Sequence, residues 1–256
     1  MRPLLYFSYG MTKTGSTLAF ELVRTALDLS GFPQDRLEME AILDSSSINF
    51  VRRLTDSQLT SLSDEAKRRG YPIVLKTHSR PTRALINMIL SGEALADASY
   101  RDPRDMVLSM LDHGNRARKN GQKSFSNLYT SEDTLENIRH QHNTLTAWLR
   151  IPGTLPLYFE DVAFETAAIA KTILERLDLK LDPAVLADVV LSQRFTQKNK
   201  AVRLRYPNEM NRKLSSEIEA EFAPLFEKLV SNRHQTYARN HVYLPAPEQL
   251  RTSIPD

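Results

Sequence analysis

Hydrophobic and polar positions along this 256-residue chain switch repeatedly between two periods. PLLYFSY (3–9) is a short β-rich run that ends at Gly10. Within 16–31, apolar residues at 18, 22, 23, 26, 27 and 29 recur near the helical period, and Gly31 stops the pattern. Segment 32–70 is polar and predicts partial helix, with Ser and Asp caps and a basic end before Gly70. YPIVLKTH (71–78) reads as a buried strand that turns polar at its end, and 80–92 as a helix. EALADASY (93–100) is a weak strand candidate, because Asp97 interrupts it. A helix starts at 102–114: Asp102 suits the N-cap, Pro103 the first helical position and Asp105 the first turn.

Beyond that helix, 115–131 predicts a polar loop, 132–149 a helix, TLPLYFED (154–161) a strand and 162–178 another helix. Further helical pieces surround a basic linker at 197–213, and a Pro-containing tail follows Tyr243. Strands alternating with helices predict an α/β fold with a central parallel sheet flanked by helices. No repeat or linker divides the chain, so 1–256 is expected to be a single domain.

Composition narrows the class. Hydrophobic residues make up 41% and charged residues 25%, an ordinary globular balance. The net charge of +3 gives no field that would draw nucleic acid, and no nucleic-acid partner is expected. The absence of cysteine excludes disulfides and thiolate metal sites. No apolar run has the length of a membrane span, and the N-terminal run is too short for a signal-peptide core, so the expected location is the cytoplasm.

The chemistry is expected at strand ends, where open parallel sheets bind ligands. The first strand runs into YGMTKTGST (9–17), which has a phosphate-loop look but lacks the Walker order. Gly10 and Gly15 have the right spacing, yet Ser16 follows Gly15 and the lysine is Lys13. Gly15 permits unusual backbone angles, and the amides of Thr14, Gly15, Ser16 and Thr17 open a helix, where unbonded N–H groups favour an anion. The next strands end in Lys76-Thr77-His78 and in Arg101. If those strands are neighbours, Lys13, Lys76, His78 and Arg101 converge on one rim and define an anion site.

TKTGST (12–17) resembles the 5′-phosphosulfate loop of sulfotransferases. SYRDPRDMVLSMLDHG (99–114), with Ser109 eight positions after Arg101, resembles their 3′-phosphate motif. VLKTHSRP (74–81) resembles the Lys-Thr-His segment of the cytosolic branch, and YFEDV (158–162) extends the match. The resemblance implies a P-loop-NTPase-like sulfotransferase fold. It also implies a sulfuryl transfer from 3′-phosphoadenosine 5′-phosphosulfate (PAPS) to a hydroxyl acceptor, leaving adenosine 3′,5′-bisphosphate (PAP). In that reading His78 is the general base, Lys13 meets the bridging oxygen where charge develops, and Lys76 assists the sulfuryl oxygens. Arg101 and Ser109 hold the 3′-phosphate, no metal takes part, and Glu160 and Asp161 are structural.

Several positions depart from the family pattern. Leu18 stands where the cytosolic branch has an adenine-stacking Trp, which leaves Phe195 to support the base. Phe159, not Tyr, precedes Glu160-Asp161, and Tyr158 would face the other side of a strand. The later Arg-Lys-Gly clasp is missing, and among Lys198, Lys200, Arg203 and Arg205 the last is the expected substitute. His140 and His142, two apart on a helix, diverge and make a poor metal pair, while His113 is expected only to favour its helix dipole. Trp148 and Phe20 are expected in the core. Competing functions are a P-loop kinase or NTPase and a non-catalytic nucleotide-binding protein. The acceptor, a small molecule or the hydroxyl of a glycan or lipid, is expected to meet 32–60, 112–131 and 206–212.

Overall fold

The computed structural model describes residues 4–44, 47–194, 196 and 202–231. The central strand, β1 (Leu5–Gly10), is buried at every position and pairs in parallel with β4 (Ile73–Thr77) and β5 (Ala94–Tyr100). On the β5 side, β6 (Thr154–Tyr158) continues the sheet in parallel. On the β4 side, β3 (Phe50–Val51) is parallel, and β2 (Leu43–Asp44) closes the edge antiparallel. The order across the sheet is β2-β3-β4-β1-β5-β6.

The two-residue period of β1 builds two cores. Leu5, Phe7 and Tyr9 join Leu75, Ala96 and Trp148 on one face. That face is covered by α2 (Asp56–Arg69), α3 (Arg83–Leu90), α4 (Pro103–Lys119), α5 (Ser131–Leu149) and α10 (Arg212–Ser231). Tyr6 joins Val74, Leu155 and Leu157 on the other face, beneath α1 (Ser16–Leu29), α6 (Phe159–Phe164), α7 (Thr166–Arg176) and α8 (Pro183–Gln193). A short α9 (Tyr206–Glu209) lies against α4. This is the α/β architecture expected from the alternating periods, and Trp148 and Phe20 are buried in it. Among the described residues, no helix is long and apolar enough to cross a membrane.

The strand candidate at 93–100 is borne out as a full internal strand, 94–100, in which the register places Asp97 opposite Ser8, whose hydroxyl donates to its carboxylate at 3.0 Å. Three other local expectations are corrected. The helix starting at Pro103 passes through Gly114 and ends at Lys119, so 115–119 is not loop. The last strand stops at Tyr158, and Phe159, Glu160 and Asp161 form the first turn of α6 rather than its continuation. Finally, the expected helix at 162–178 is two helices, α6 and α7, parted at Glu165, whose backbone leaves the helical region at φ −119° and ψ 39°.

Candidate active site

Because β1, β4 and β5 are adjacent and parallel, their carboxyl ends lie side by side. The β1–α1 loop begins there. The Met11 amide donates to the Ser99 carbonyl of β5, and the Thr14 hydroxyl donates to the Met11 carbonyl at 2.7 Å and lies 2.9 Å from the Ser99 hydroxyl. The Thr14 side chain is thus spent on seating the loop. Lys13 takes a left-handed conformation, φ 68°, and Gly15 does the same at φ 73°. The strain at Lys13 fits a functional loop, while Gly15 adopts the conformation at no steric cost. These turns bring the chain onto the N-terminus of α1 at Ser16, where Gly15 makes no side-chain cap bond and the first-turn amides point out of the helix.

Cations surround that helix end. Val74 packs on the α1 face of the sheet, and Lys76, two residues on, points the same way. Its ammonium donates to the Thr17 hydroxyl at 2.6 Å. Burial pushes the Lys76 amine down to about 8, although the Glu21 charge opposes this. The Lys13 amine is also pushed down to about 8, first by burial and then by the charges of Arg116 and Arg101, with Asp112 opposing. Lys13 Nζ lies 3.1 Å from His113 Nδ1.

Arg101 follows β5 and is 6% exposed. Its guanidinium carbon sits 3.9 Å from the centre of the Phe159 ring, and Nη2 donates to Asp105 at 3.1 Å. Among the described residues, no acceptor meets the buried Arg101 Nε–H. Phe159 also reaches Gly15: a Cβ added there would stand 3.0 Å from its ring. The aromatic position before Glu160-Asp161 therefore lies between the loop and Arg101, reached by the turn into α6 rather than by strand alternation. Glu160 is buried close enough to feel the Arg101 charge, and among the described residues neither of its oxygens has a hydrogen-bond partner. Burial, opposed by Arg101, raises its carboxyl to about 7.

Ser109 is buried one helical turn beyond Asp105, on the same face of α4. Arg205 comes to the same face of α4. It is 5% exposed, 2.9 Å from the Asp112 carboxylate, and bonded to Glu209 at 2.8 and 2.6 Å. Its charge bears on Arg101, lowering the latter's pKa beneath the larger effect of burial. Asp105 ties these parts together, accepting from the Tyr206 amide at 3.0 Å as well as from Arg101. Phe195, Lys198 and Lys200 lie outside the described residues.

His78 follows the end of β4, and its Nδ1 is 2.6 Å from the Gly10 carbonyl. A carbonyl only accepts, so Nδ1 carries the proton and Nε2 keeps its lone pair. Burial, then the Lys76 charge, lowers the imidazole to about 4, against the opposing bond to Gly10. Phe50 of β3 packs edge-on against the ring at 5.3 Å. This chemistry suits a neutral base beside an anion site.

Sequence reasoning gave His113 no more than a dipole role, whereas the structure places it against Lys13. The signal was available: His113 lies four residues after Ser109, on the same helical face. Nothing local could have found Gln141, whose side chain accepts from the Thr12 amide and donates to the Thr12 hydroxyl at 2.9 Å from a distant helix. Among the described residues, no group of three or more His, Cys, Asp or Glu side chains is placed to hold a metal ion.

Comparison with known proteins gives a fold. No protein-family model matches the sequence, and no curated protein matches it significantly. Mouse sulfotransferase SULT7A1, solved in complex with PAP, is similar in structure over 95% of this chain and 90% of its own, with a TM-score of 0.54 and 15% identity. Retinol dehydratase in complex with androsterone and inactive cofactor PAP overlaps over 94% of this chain and 81% of its own, at 15% identity and a TM-score of 0.47. Sulfotransferase STF1 from Mycobacterium tuberculosis overlaps over 88% of this chain and 77% of its own, at 12% identity and a TM-score of 0.45. On the SULT7A1 likeness, the chain has a sulfotransferase fold.

Proposed function

We propose that the protein is a PAPS-dependent sulfotransferase acting on a hydroxyl acceptor. The observation that carries this reading is the gathering of Lys13, Lys76 and Arg101 about the β1–α1 loop, with Arg205 beyond Arg101 against α4. The Lys13 and Lys76 amines are held below their ordinary pKa, and a buried Arg101 N–H has no acceptor among the described residues. Such a site gains stability from a ligand with anions at two separated points.

In this reading the loop from Thr14 to Thr17 holds the 5′ end through backbone amides and the Ser16 and Thr17 hydroxyls. Arg101 and Ser109 hold the 3′-phosphate, with Arg205 as the third partner. The unpartnered Nε of Arg101 is a donor for that phosphate without breaking the bond to Asp105. The adenine contact of Phe195 stays part of the proposal. His78 Nε2 takes the acceptor's proton as the acceptor oxygen bonds to sulfur. The bond from sulfur to the bridging oxygen breaks, and that oxygen leaves with the electron pair on PAP. Lys13 stabilises the charge developing there, more in the transition state than before it. Lys76 steadies the sulfuryl oxygens. A transferring sulfuryl group carries less charge than a phosphoryl group, so the lysines suffice and no divalent ion is required. The acceptor is a small molecule, or a glycan or lipid hydroxyl, reaching His78 past Phe50.

The test is transfer of label from [35S]PAPS to a panel of sugars, phenols and long-chain alcohols in the presence of EDTA. Labelled product from at least one class, formed with stoichiometric PAP, is expected. Absence of transfer together with magnesium-dependent ATP hydrolysis would assign the loop to a kinase or NTPase instead.

A further inference from the structure

Lys13 is a long, flexible side chain on a loop, and something must fix its amine for it to act at one oxygen. Among the described residues, the side-chain acceptor within hydrogen-bond reach is His113 Nδ1, at 3.1 Å. An ammonium only donates, so Nδ1 accepts and the imidazole proton sits on Nε2. The ammonium has three N–H groups, which leaves two for an anion.

His113 is itself held. Its ring meets Phe125 edge-on, with centres 5.0 Å apart and planes at 69°, and Lys13 Nζ lies 5.8 Å from the centre of the same ring. Phe125 is brought there by a turn pressed onto α4. Gly114, beside His113, makes this possible, since a Cβ added there would be 2.6 Å from the Phe125 carbonyl oxygen and 3.0 Å from that of Leu128. Arg118 fastens the turn, donating to the Ser126 and Leu128 carbonyls at 2.8 and 2.9 Å. Phe125 accepts a left-handed backbone, φ 60°, to take this place. His113 and Phe125 thus meet the Lys13 amine, and Gly114 and Arg118 hold the turn that carries Phe125.

We infer that His113 is a positioning residue that holds the Lys13 ammonium toward the anion site of the loop. The inference rests on the sulfotransferase reading for the ligand, but not for the latch itself. Burial first, then the charges of Lys13 and Arg116, lower the His113 pKa, which keeps the ring neutral and able to accept at pH 8.

Two readouts at pH 8 test it. The first needs no nucleotide: acylation of the Lys13 amine by dilute acetic anhydride, followed by peptide mass spectrometry. His113→Ala removes the acceptor and is expected to raise the Lys13 labelling rate severalfold. In His113→Asn the amide oxygen falls where Nδ1 was, and the native rate is expected. His113→Gln places its oxygen nearer Nε2 and should behave like Ala. The second is calorimetry with PAP and adenosine 3′-monophosphate. His113→Ala is expected to weaken PAP about fivefold to tenfold, the freedom regained by a long side chain. Adenosine 3′-monophosphate, which lacks the 5′ group, should be unaffected. In a Lys13→Met background the His113 effect should vanish. A Lys13 labelling rate unmoved by His113→Ala, or a PAP effect that persists without Lys13, overturns the inference. Failure of the native protein to bind PAP overturns the function proposed above instead.

Discussion

Asp97 offers a quantitative test of the sheet. Its carboxylate is fully buried in the middle of β5, accepts one hydrogen bond from Ser8, and lies near enough to Arg176 to feel its charge. Burial dominates, and the carboxyl is raised from its ordinary 3.8 to about 7. A raised acid contributes stability that is fully present below the unfolded pKa and is lost as pH rises through the folded one. The window is therefore from about pH 4 to about pH 7. A displacement of this size corresponds to a loss on the order of 4 kcal/mol, an upper figure because relaxation and the Ser8 bond soften it. Asp97→Asn keeps an oxygen for Ser8 and cannot ionise. Urea unfolding of both proteins at pH 5, 6, 7 and 8 gives the difference directly, and the other carboxylates cancel. The variant is expected to gain on the native protein by a few kcal/mol between pH 5 and 8. Parallel pH profiles would refute the claim that Asp97 is a buried, pH-raised acid.

Two further outcomes follow from the site. With His78 lowered to about 4, its neutral form persists through the physiological range, so kcat/KM for PAPS turnover should show no acid limb near the ordinary imidazole value. An acid limb near 6.5 that disappears in His78→Gln would contradict that lowering. Gly114→Ala forces a methyl against the Phe125 and Leu128 carbonyls, and is expected to cost about 1–3 kcal/mol of stability in thermal unfolding. A neutral effect would mean that the 125–128 turn does not pack on α4 as described.

The major helices and the inner strands were legible because their apolar periods are long and unbroken. The exceptions have physical causes. Asp97 made the strand at 94–100 look weak because its partner, Ser8, is supplied by another strand and leaves no local sign. Gly114 looked like a helix stop, yet its role is to admit the carbonyls of a following turn. β2 and β3 are two residues each, too short for any period to register. At the candidate site, the placing of Lys13, Lys76, His78 and Arg101 on one rim was readable only on the condition that the strands are neighbours, which the β4-β1-β5 order supplies. The pairing of Arg101 with Asp105 was not anticipated, and helical spacing carried one turn past Ser109 would have brought in His113. Phe159 was not readable, because the change from strand to helix at Tyr158 redirects its side chain toward Gly15 and Arg101.

The most direct test of the proposed function is a calorimetric titration with PAP in the absence of magnesium, run beside adenosine 5′-monophosphate and ATP, on the native protein and on Arg101→Ala. The account predicts that PAP binds, that removing the 3′-phosphate weakens binding, and that Arg101→Ala weakens PAP by roughly tenfold or more, the worth of a charged hydrogen bond. Adenosine 5′-monophosphate should be indifferent to the substitution. Preference for ATP with added magnesium, or PAP affinity unchanged in Arg101→Ala, would contradict it.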